Sequence, residues 1–276
     1  MRYSFGLRPL LERFLTYLPG LYAWLISRRR HPNLEKIVFL SLVRRGDTVI
    51  DVGANTGYYT LLFSRLAGAH GSVHAFEPVP PTFAKLQAHL RRGSSGPVAV
   101  NNCALADAEK TVDMYLPGED HGQAALTRHT FGTWATDAPV RTFSCRTTTL
   151  DAYAGTAGLE SLSFVKCDVE GAELLVLRGA VQTIRRFRPL LFLEVSRHWT
   201  ADFAYQPQDL ARFLEDLGYS RFFLVGDEIF PLGDLSRGLA ADRLPDSVNL
   251  LCADERSHGQ RIARLQPWLA RGPETP

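Results

Sequence analysis

The nine residues Val49-Ile50-Asp51-Val52-Gly53-Ala54-Asn55-Thr56-Gly57 constrain this chain more than any other stretch. Apolar and β-branched residues make a buried strand that closes on an acid. Glycines then punctuate a turn, and a helix opens near Tyr58. That order sets backbone N–H groups and a helix N-terminus at the carboxyl edge of a parallel sheet, where small charged ligands dock. Twenty residues past Gly57, the strand Ser72–Phe76 closes on Glu77. An acid there is positioned to accept from both hydroxyls of a ribose. A nucleoside-containing cofactor follows.

Glycine spacing decides which one. A dinucleotide fingerprint needs G-x-G-x-x-G, so that backbone can crowd against a pyrophosphate. Here Asn55 holds the second position, Tyr58 the third, and Gly57 falls one place early. Asn tolerates left-handed backbone angles, so the turn still forms. Its side chain, however, fills the space a pyrophosphate needs. Asp51 aims a negative charge at the ligand, which disfavours phosphate and favours an ammonium. A ligand with an amino-acid end and an adenosine end satisfies both sites, and S-adenosyl-L-methionine fits better than NAD.

A chain of 276 residues buries one sizeable core. The formal charge of +2 and the lack of a basic stripe with interleaved aromatics exclude nucleic acid as an expected partner. Cys103, Cys145, Cys167 and Cys252 show no metal-ligand spacing and read as buried free thiols in a reducing cytoplasm. From Phe5 to Ile26 the chain is rich in Leu, Phe, Tyr and Trp, and it then meets Arg28-Arg29-Arg30. Glu12, Arg13 and Pro19-Gly20 break this run, and a spanning helix needs roughly 20 uninterrupted apolar residues. No signal-peptide pattern is present. Two helices packed on the core or over its mouth are expected. Peripheral membrane contact through a basic amphipathic surface is the alternative. A cytoplasmic protein is therefore expected, with membrane association left open.

Downstream, strands and helices alternate, the pattern of a parallel sheet with crossover helices. Strands are expected at 48–52, 73–76, 98–101, 163–167, 190–195, 221–225 and 248–252. The rhythm lapses between Leu105 and Leu159. There Thr111–Leu116 and Val140–Cys145 read as two extra strands carrying a lid, with Asp120, His121, His129, Phe131 and Trp134 between them.

Four blocks now stand in order: Asp51-Val-Gly-Ala-Asn-Thr-Gly57; Phe76-Glu77-Pro78; Asn101-Asn102-Cys103-Ala104-Leu105; and Lys166-Cys-Asp168-Val-Glu170-Gly171-Ala-Glu173 with Leu177-Arg-Gly179-Ala180. Together they resemble the FkbM family of S-adenosylmethionine-dependent methyltransferases, from about Arg45 to about Val195 with a looser tail to about Asp254. The resemblance implies an α/β, Rossmann-like class I methyltransferase fold with a mostly parallel seven-stranded sheet whose last strand is antiparallel. It divides the chain into a helical extension (1–44), a catalytic domain (45–255) with an inserted β-containing lid (106–160), and a tail (256–276).

On this reading Asp51, Gly53, Asn55 and Gly57 cradle the methionine end, Glu77 holds the ribose, and Asn102 and Ala104 lie by the adenine. Lys166, Asp168 and Glu170 alternate, so one face of a persisting strand would carry all three. Asp168 is expected to touch donor or acceptor, and Lys166 to pair with one of the acids. Glu170 is expected to contact the ligands or to cap the next helix. His198 is a candidate general base, with His121 and His129 competing for the role. No metal is expected, although Asp168 with Glu194 offers an alternative divalent site.

The expected reaction is methyl transfer to a hydroxyl of a small molecule, sugar or glycan. N-methylation is the close rival, and a sugar-nucleotide dehydrogenase or epimerase using NAD, or a non-catalytic homologue, the more distant ones.

Overall fold

The structure is a computed structural model and describes residues 7–118, 124–129, 134, 139–240 and 246–270. Three helices come first: α1 (Leu7–Leu15), α2 (Pro19–Ser27) and α3 (Leu34–Leu42). Then β1 (Thr48–Val52), α4 (Tyr58–Ala67), β2 (Ser72–Phe76), α5 (Pro80–Gly93) and β3 (Val98–Asn101) alternate. Next comes β4 (Ala104–Leu105), and the insertion supplies β5 (Lys110–Pro117) and β6 (Val140–Thr148). After α6 (Leu150–Thr156) the rhythm resumes with β7 (Phe164–Cys167), α7 (Glu173–Arg178), α8 (Val181–Phe187) and β8 (Leu190–Val195). Next come α9 (Arg197–Asp202), α10 (Pro207–Asp216), β9 (Arg221–Val225) and β10 (Ile229–Leu232). The last elements are α11 (Leu235–Gly238), β11 (Val248–Ala253) and α12 (Glu255–Ile262), followed by a 3₁₀ turn over Ala263–Trp268.

The main sheet runs β10-β9-β11-β8-β7-β1-β2-β3. Strands β1, β2, β3, β7 and β8 are parallel, and β11 is inserted antiparallel between β8 and β9. The antiparallel last strand is as expected. The strand count is not: there are eight strands where seven were expected. The added one, β10, pairs with β9 as an edge hairpin. It carries Pro231, which cannot donate to a ladder and is tolerated in an edge strand. The insertion strands join β4 in a separate sheet, β4-β6-β5.

The order reverses at β1, with β2 and β3 on one side and β7 and β8 on the other. Such a switch point opens a crevice at the carboxyl ends of the strands. Alternating strand residues feed two cores. Ile50, Val165, Leu191 and Leu193 face α6, α7, α8 and α10. Val49, Phe164, Leu190 and Phe192 face α2, α3 and α4.

Local signals fix the helix starts. The Asn33 side chain accepts from the Lys36 N–H at 2.6 Å and begins α3. A reciprocal Gln206–Asp209 capping box with Pro207 begins α10. At the other end of the chain, Arg261 of α12 donates to the Leu42 carbonyl and pairs with Asp47. Among the described residues no helix is long and apolar enough to cross a membrane.

Phe39 of α3 sits at the centre of the second core, edge-on to Tyr59, Phe63, Phe164 and Phe192 with ring centroids 4.7–5.7 Å apart. Phe39→Ala should therefore lower the unfolding free energy by about 3–5 kcal/mol, read from urea denaturation.

Candidate active site

The turn after β1 is built from residues that tolerate left-handed backbone. Gly53 has φ +73°, Asn55 +49° and Gly57 +90°. The N–H groups of Gly53 and Ala54 both donate to the Phe76 carbonyl, which ties the turn to the end of β2. A Cβ at Gly53 would lie 1.9 Å from the Asp168 carbonyl oxygen, so the ends of β1 and β7 approach too closely for any side chain. At Gly57, the cap of α4, a Cβ would meet Leu86 Cδ1 at 2.6 Å.

A cleft opens beside this turn. Gly53, Asn55, Glu77 and Asp168 give it a polar wall, while Phe76, Ala104 and Leu105 form an apolar floor. The insertion roofs it with Met114, Ala124 and Leu126, leaving a cavity of about 80 Å³. Glu77 is 5% exposed. Its Oε2 accepts from the Asn55 N–H at 3.0 Å and its Oε1 from the Val79 N–H at 2.9 Å. Burial pushes its pKa up to about 7, against the pull of those two donors. Asn102 is exposed and does not line the cleft; its amide donates to the carbonyls of Glu77 and Pro78. It fixes the turn that carries Glu77.

Asp51 is also set behind the wall. It pairs in register with Lys166 of β7, and its Oδ2 accepts from Thr60 Oγ1 at 2.6 Å. Lys166 Nζ lies 3.0 Å from Asp168 Oδ2 and 3.8 Å from Asp51 Oδ1. The expected pairing of Lys166 with an acid is thus present, with both acids flanking it. Burial alone would lower the Lys166 pKa, but the Asp168 and Asp51 carboxylates outweigh it and raise it. Burial raises that of Asp51. The buried Asp51 Oδ1 has no hydrogen-bond partner.

Strand β7 stops at Cys167, so the alternation expected through Glu170 ends early. Glu170 turns left-handed at φ +57° and Gly171 follows at +97°. The loop N–H groups ahead of the following helix go to Glu173, whose Oε1 accepts from Val169 and Gly171. Two further bonds hold this strained loop. His129 of the insertion donates from Nε2 to the Glu170 carbonyl at 2.8 Å, and the Tyr205 hydroxyl donates to the Gly171 carbonyl at 2.7 Å.

The carboxylates of Asp168, Glu170 and Glu194 have oxygens within 4.8 Å of one another. Burial and the adjacent Asp168 charge push Glu194 well above the usual carboxylate range. Burial also works against the Asp168 charge, but Lys166 prevails and holds its pKa down. The two neighbouring carboxyl groups are thus pushed in opposite directions.

A second cavity, of about 360 Å³, opens at the same sheet edge and has Glu194 in its wall. Asn33, Glu35, Ser247 and Asn249 supply its other polar side chains. Asn249 donates to Glu35 Oε1, and Tyr59 donates to Glu35 Oε2. These residues were absent from the sequence expectations because they come from opposite ends of the chain.

Of the three histidines, His129 is bonded through both ring nitrogens, with Nδ1 2.7 Å from Asp202. It pins the insertion. His198 is the second residue of α9 and faces Asp246 and Arg197. Asp120, His121 and Phe131 lie outside the described residues.

The donor set fits S-adenosyl-L-methionine. The glycine cradle admits backbone approach, the buried Glu77 carboxylate borders the cleft, and Asp51 Oδ1 is left without a hydrogen-bond partner beneath the turn. Gly53→Ala should destabilise the fold by about 1–3 kcal/mol and abolish ligand binding, read by thermal unfolding and titration.

A pH effect follows from Glu77 and Glu173, both pushed up to about 7 by burial. Between pH about 4.5 and 7 the native state keeps protons that the unfolded chain has released. Stability should therefore fall as pH rises through that window, by up to a few (~3) kcal/mol per group. Glu173→Gln should flatten the slope of unfolding free energy against pH.

The Methyltransferase FkbM domain family matches residues 51–221, from the end of β1 to the start of β9. The chain is 46% identical over 66 residues to the 31-O-demethyl-FK506 methyltransferase FkbM of Streptomyces tacrolimicus, a match covering 24% of each. It is 27% identical over 164 residues to the 2-O-methyltransferase NoeI of Sinorhizobium fredii (strain NBRC 101917 / NGR234), covering 54% of this chain and 64% of that one. The solved methyltransferase FkbM of Methylobacillus flagellatus KT aligns over 84% of this chain and 58% of its own, at 16% identity and a TM-score of 0.45. The chain spans less than two thirds of the length of these curated relatives. With the family matched across the turn, Glu77, the insertion and the Asp168 loop, the chain belongs to the FkbM methyltransferase domain family.

Proposed function

We propose that this protein is an S-adenosyl-L-methionine-dependent methyltransferase that methylates a hydroxyl of a sugar, glycan or natural product. The observation that carries the cofactor reading is Glu77, a buried carboxylate facing a cleft beside a glycine turn at the switch point of the sheet. Support for oxygen as the acceptor comes from two relatives whose names specify O-methylation.

When bound, the cofactor supplies an electrophilic methyl group on a sulfonium. The chain's own residues do the rest. Glu77 accepts from the ribose hydroxyls while Asn55 and Val79 hold its carboxylate in place. Phe76, Ala104, Leu105 and the roof residues Met114, Ala124 and Leu126 enclose the base.

The second cavity takes the acceptor. Its acidic and amide lining suits an uncharged hydroxylated ring and repels anions. Asp168 bounds the first cleft and has its carboxylate within 4.8 Å of that of Glu194 in the second cavity. Methyl transfer is chiefly alignment of acceptor oxygen, methyl carbon and sulfur. The displaced hydroxyl proton passes to Asp168, which Lys166 keeps ionised.

Titration calorimetry tests the cofactor. S-adenosylhomocysteine should bind at roughly micromolar Kd (about −8 kcal/mol) and NAD should not bind; NAD binding without S-adenosylhomocysteine binding would transfer the protein to the dehydrogenase class. Because a ribose hydroxyl donates best to an ionised carboxylate, affinity should rise from pH 6 to pH 8 as Glu77 loses its proton near 7. Glu77→Gln should weaken binding at least about tenfold and remove that dependence. In a methyl-transfer assay, Asp168→Asn should cost about 10²–10⁴ in kcat. An inert wild-type protein that binds cofactor would point instead to a non-catalytic homologue, and a methylated amine product to N-methylation.

A further inference from the structure

We propose that the α1–α2 hairpin docks this protein on an anionic lipid surface. Eight large apolar side chains are exposed among the described residues, and seven of them lie between Leu11 and Leu25. Phe14 is 61% exposed, Tyr17 53%, and Leu21 and Trp24 47% each. The opposite side of α2 is anchored, because Tyr22, Ala23 and Ile26 are buried in the second core. The hairpin is thus held by the fold with its apolar side outward. A concentration of this kind marks a contact surface.

Charge identifies the partner. Arg13, Arg28, Arg29 and Arg30 are exposed, and Glu12 is the one acid from residue 11 to residue 31. The Arg28 guanidinium lies 5.1 Å from the Trp24 ring centroid, and that of Arg45 lies 5.0 Å from that of Tyr17. Aromatic rings rimmed by guanidinium groups suit the headgroup layer of a bilayer, with apolar side chains below and cations at the phosphates. A second copy of the chain would bring like-charged rims together, whereas anionic lipid neutralises them.

Helices of nine residues reach only about 14 Å, less than half of a roughly 30 Å hydrocarbon core. The hairpin therefore lies in the interface. Pro32 and Asn33, in the wall of the second cavity, follow one residue (His31) after the arginine run. Docking would hold that cavity within about 10 Å of chain from the lipid headgroups.

Co-sedimentation of the full chain with phosphatidylcholine vesicles, with and without phosphatidylserine, tests this. Binding should require phosphatidylserine and weaken with salt. Combined Arg28→Gln, Arg29→Gln and Arg30→Gln should lower partitioning about a hundredfold, roughly fivefold for each arginine. Leu21→Ser with Trp24→Ser should lower it at least about tenfold. Both variants should keep the wild-type thermal midpoint, since these side chains are exposed. Independently of any variant, brominated lipid should quench tryptophan fluorescence of the wild-type protein. Equal partitioning onto both vesicle types, or onto neither, would overturn the proposal. So would self-association without vesicles that Leu21→Ser with Trp24→Ser abolishes, which would assign the surface to a second copy.

Discussion

Negative charge collects at the carboxyl edge of this sheet, and the architecture of the site depends on how that charge is held. Asp51, Glu77, Asp168, Glu170 and Glu173 are all placed there by strand ends and turns, with Glu194 beside them. Lys166 is the cation set between Asp51 and Asp168. One ammonium does not balance this many carboxyl groups. Burial instead raises the pKa values of Glu77, Glu173 and Glu194, which lowers the cost of gathering them at one edge. A ligand carrying a sulfonium and an ammonium completes the charge that the fold leaves open. This also explains why a diphosphate is a poor candidate for the same crevice.

The second constraint is steric. Gly53 passes so close to the Asp168 carbonyl that the ends of β1 and β7 form one rigid ledge. The loop beyond it is strained at Glu170, and it is held from three directions by Glu173, His129 and Tyr205. His129 belongs to the insertion that roofs the cleft. Through His129 the roof is therefore tied to the loop that follows Asp168.

Much of this was legible in the sequence. The β-branched run ending at Asp51, the glycine turn and Glu77 depend on short-range rules, and the strand–turn–helix formed as those rules require. Lys166 was readable as an ion-pair residue because period-two spacing sets it beside Asp168. Other features were hidden for physical reasons. Where β7 stops decides whether Glu170 or Glu173 satisfies the loop N–H groups, and a strand end is set by tertiary contacts. The second cavity unites Asn33 and Asn249, which only the folded topology brings together. Strand β10 was obscured by Pro231, acceptable only because the strand lies at an edge. His129 was noticed for its chemistry, but Asp202 and the Glu170 carbonyl occupy both its nitrogens.

The account rests on an edge of protonated and ionised acids that a cationic nucleoside completes. Calorimetry of S-adenosyl-L-methionine binding near neutral pH, in buffers of different ionisation enthalpy, measures this directly by counting protons exchanged on binding. Net proton release to the buffer is the predicted result, because the incoming cation drives buried carboxyl groups to ionise. Binding with no proton exchange, or with proton uptake, would contradict it.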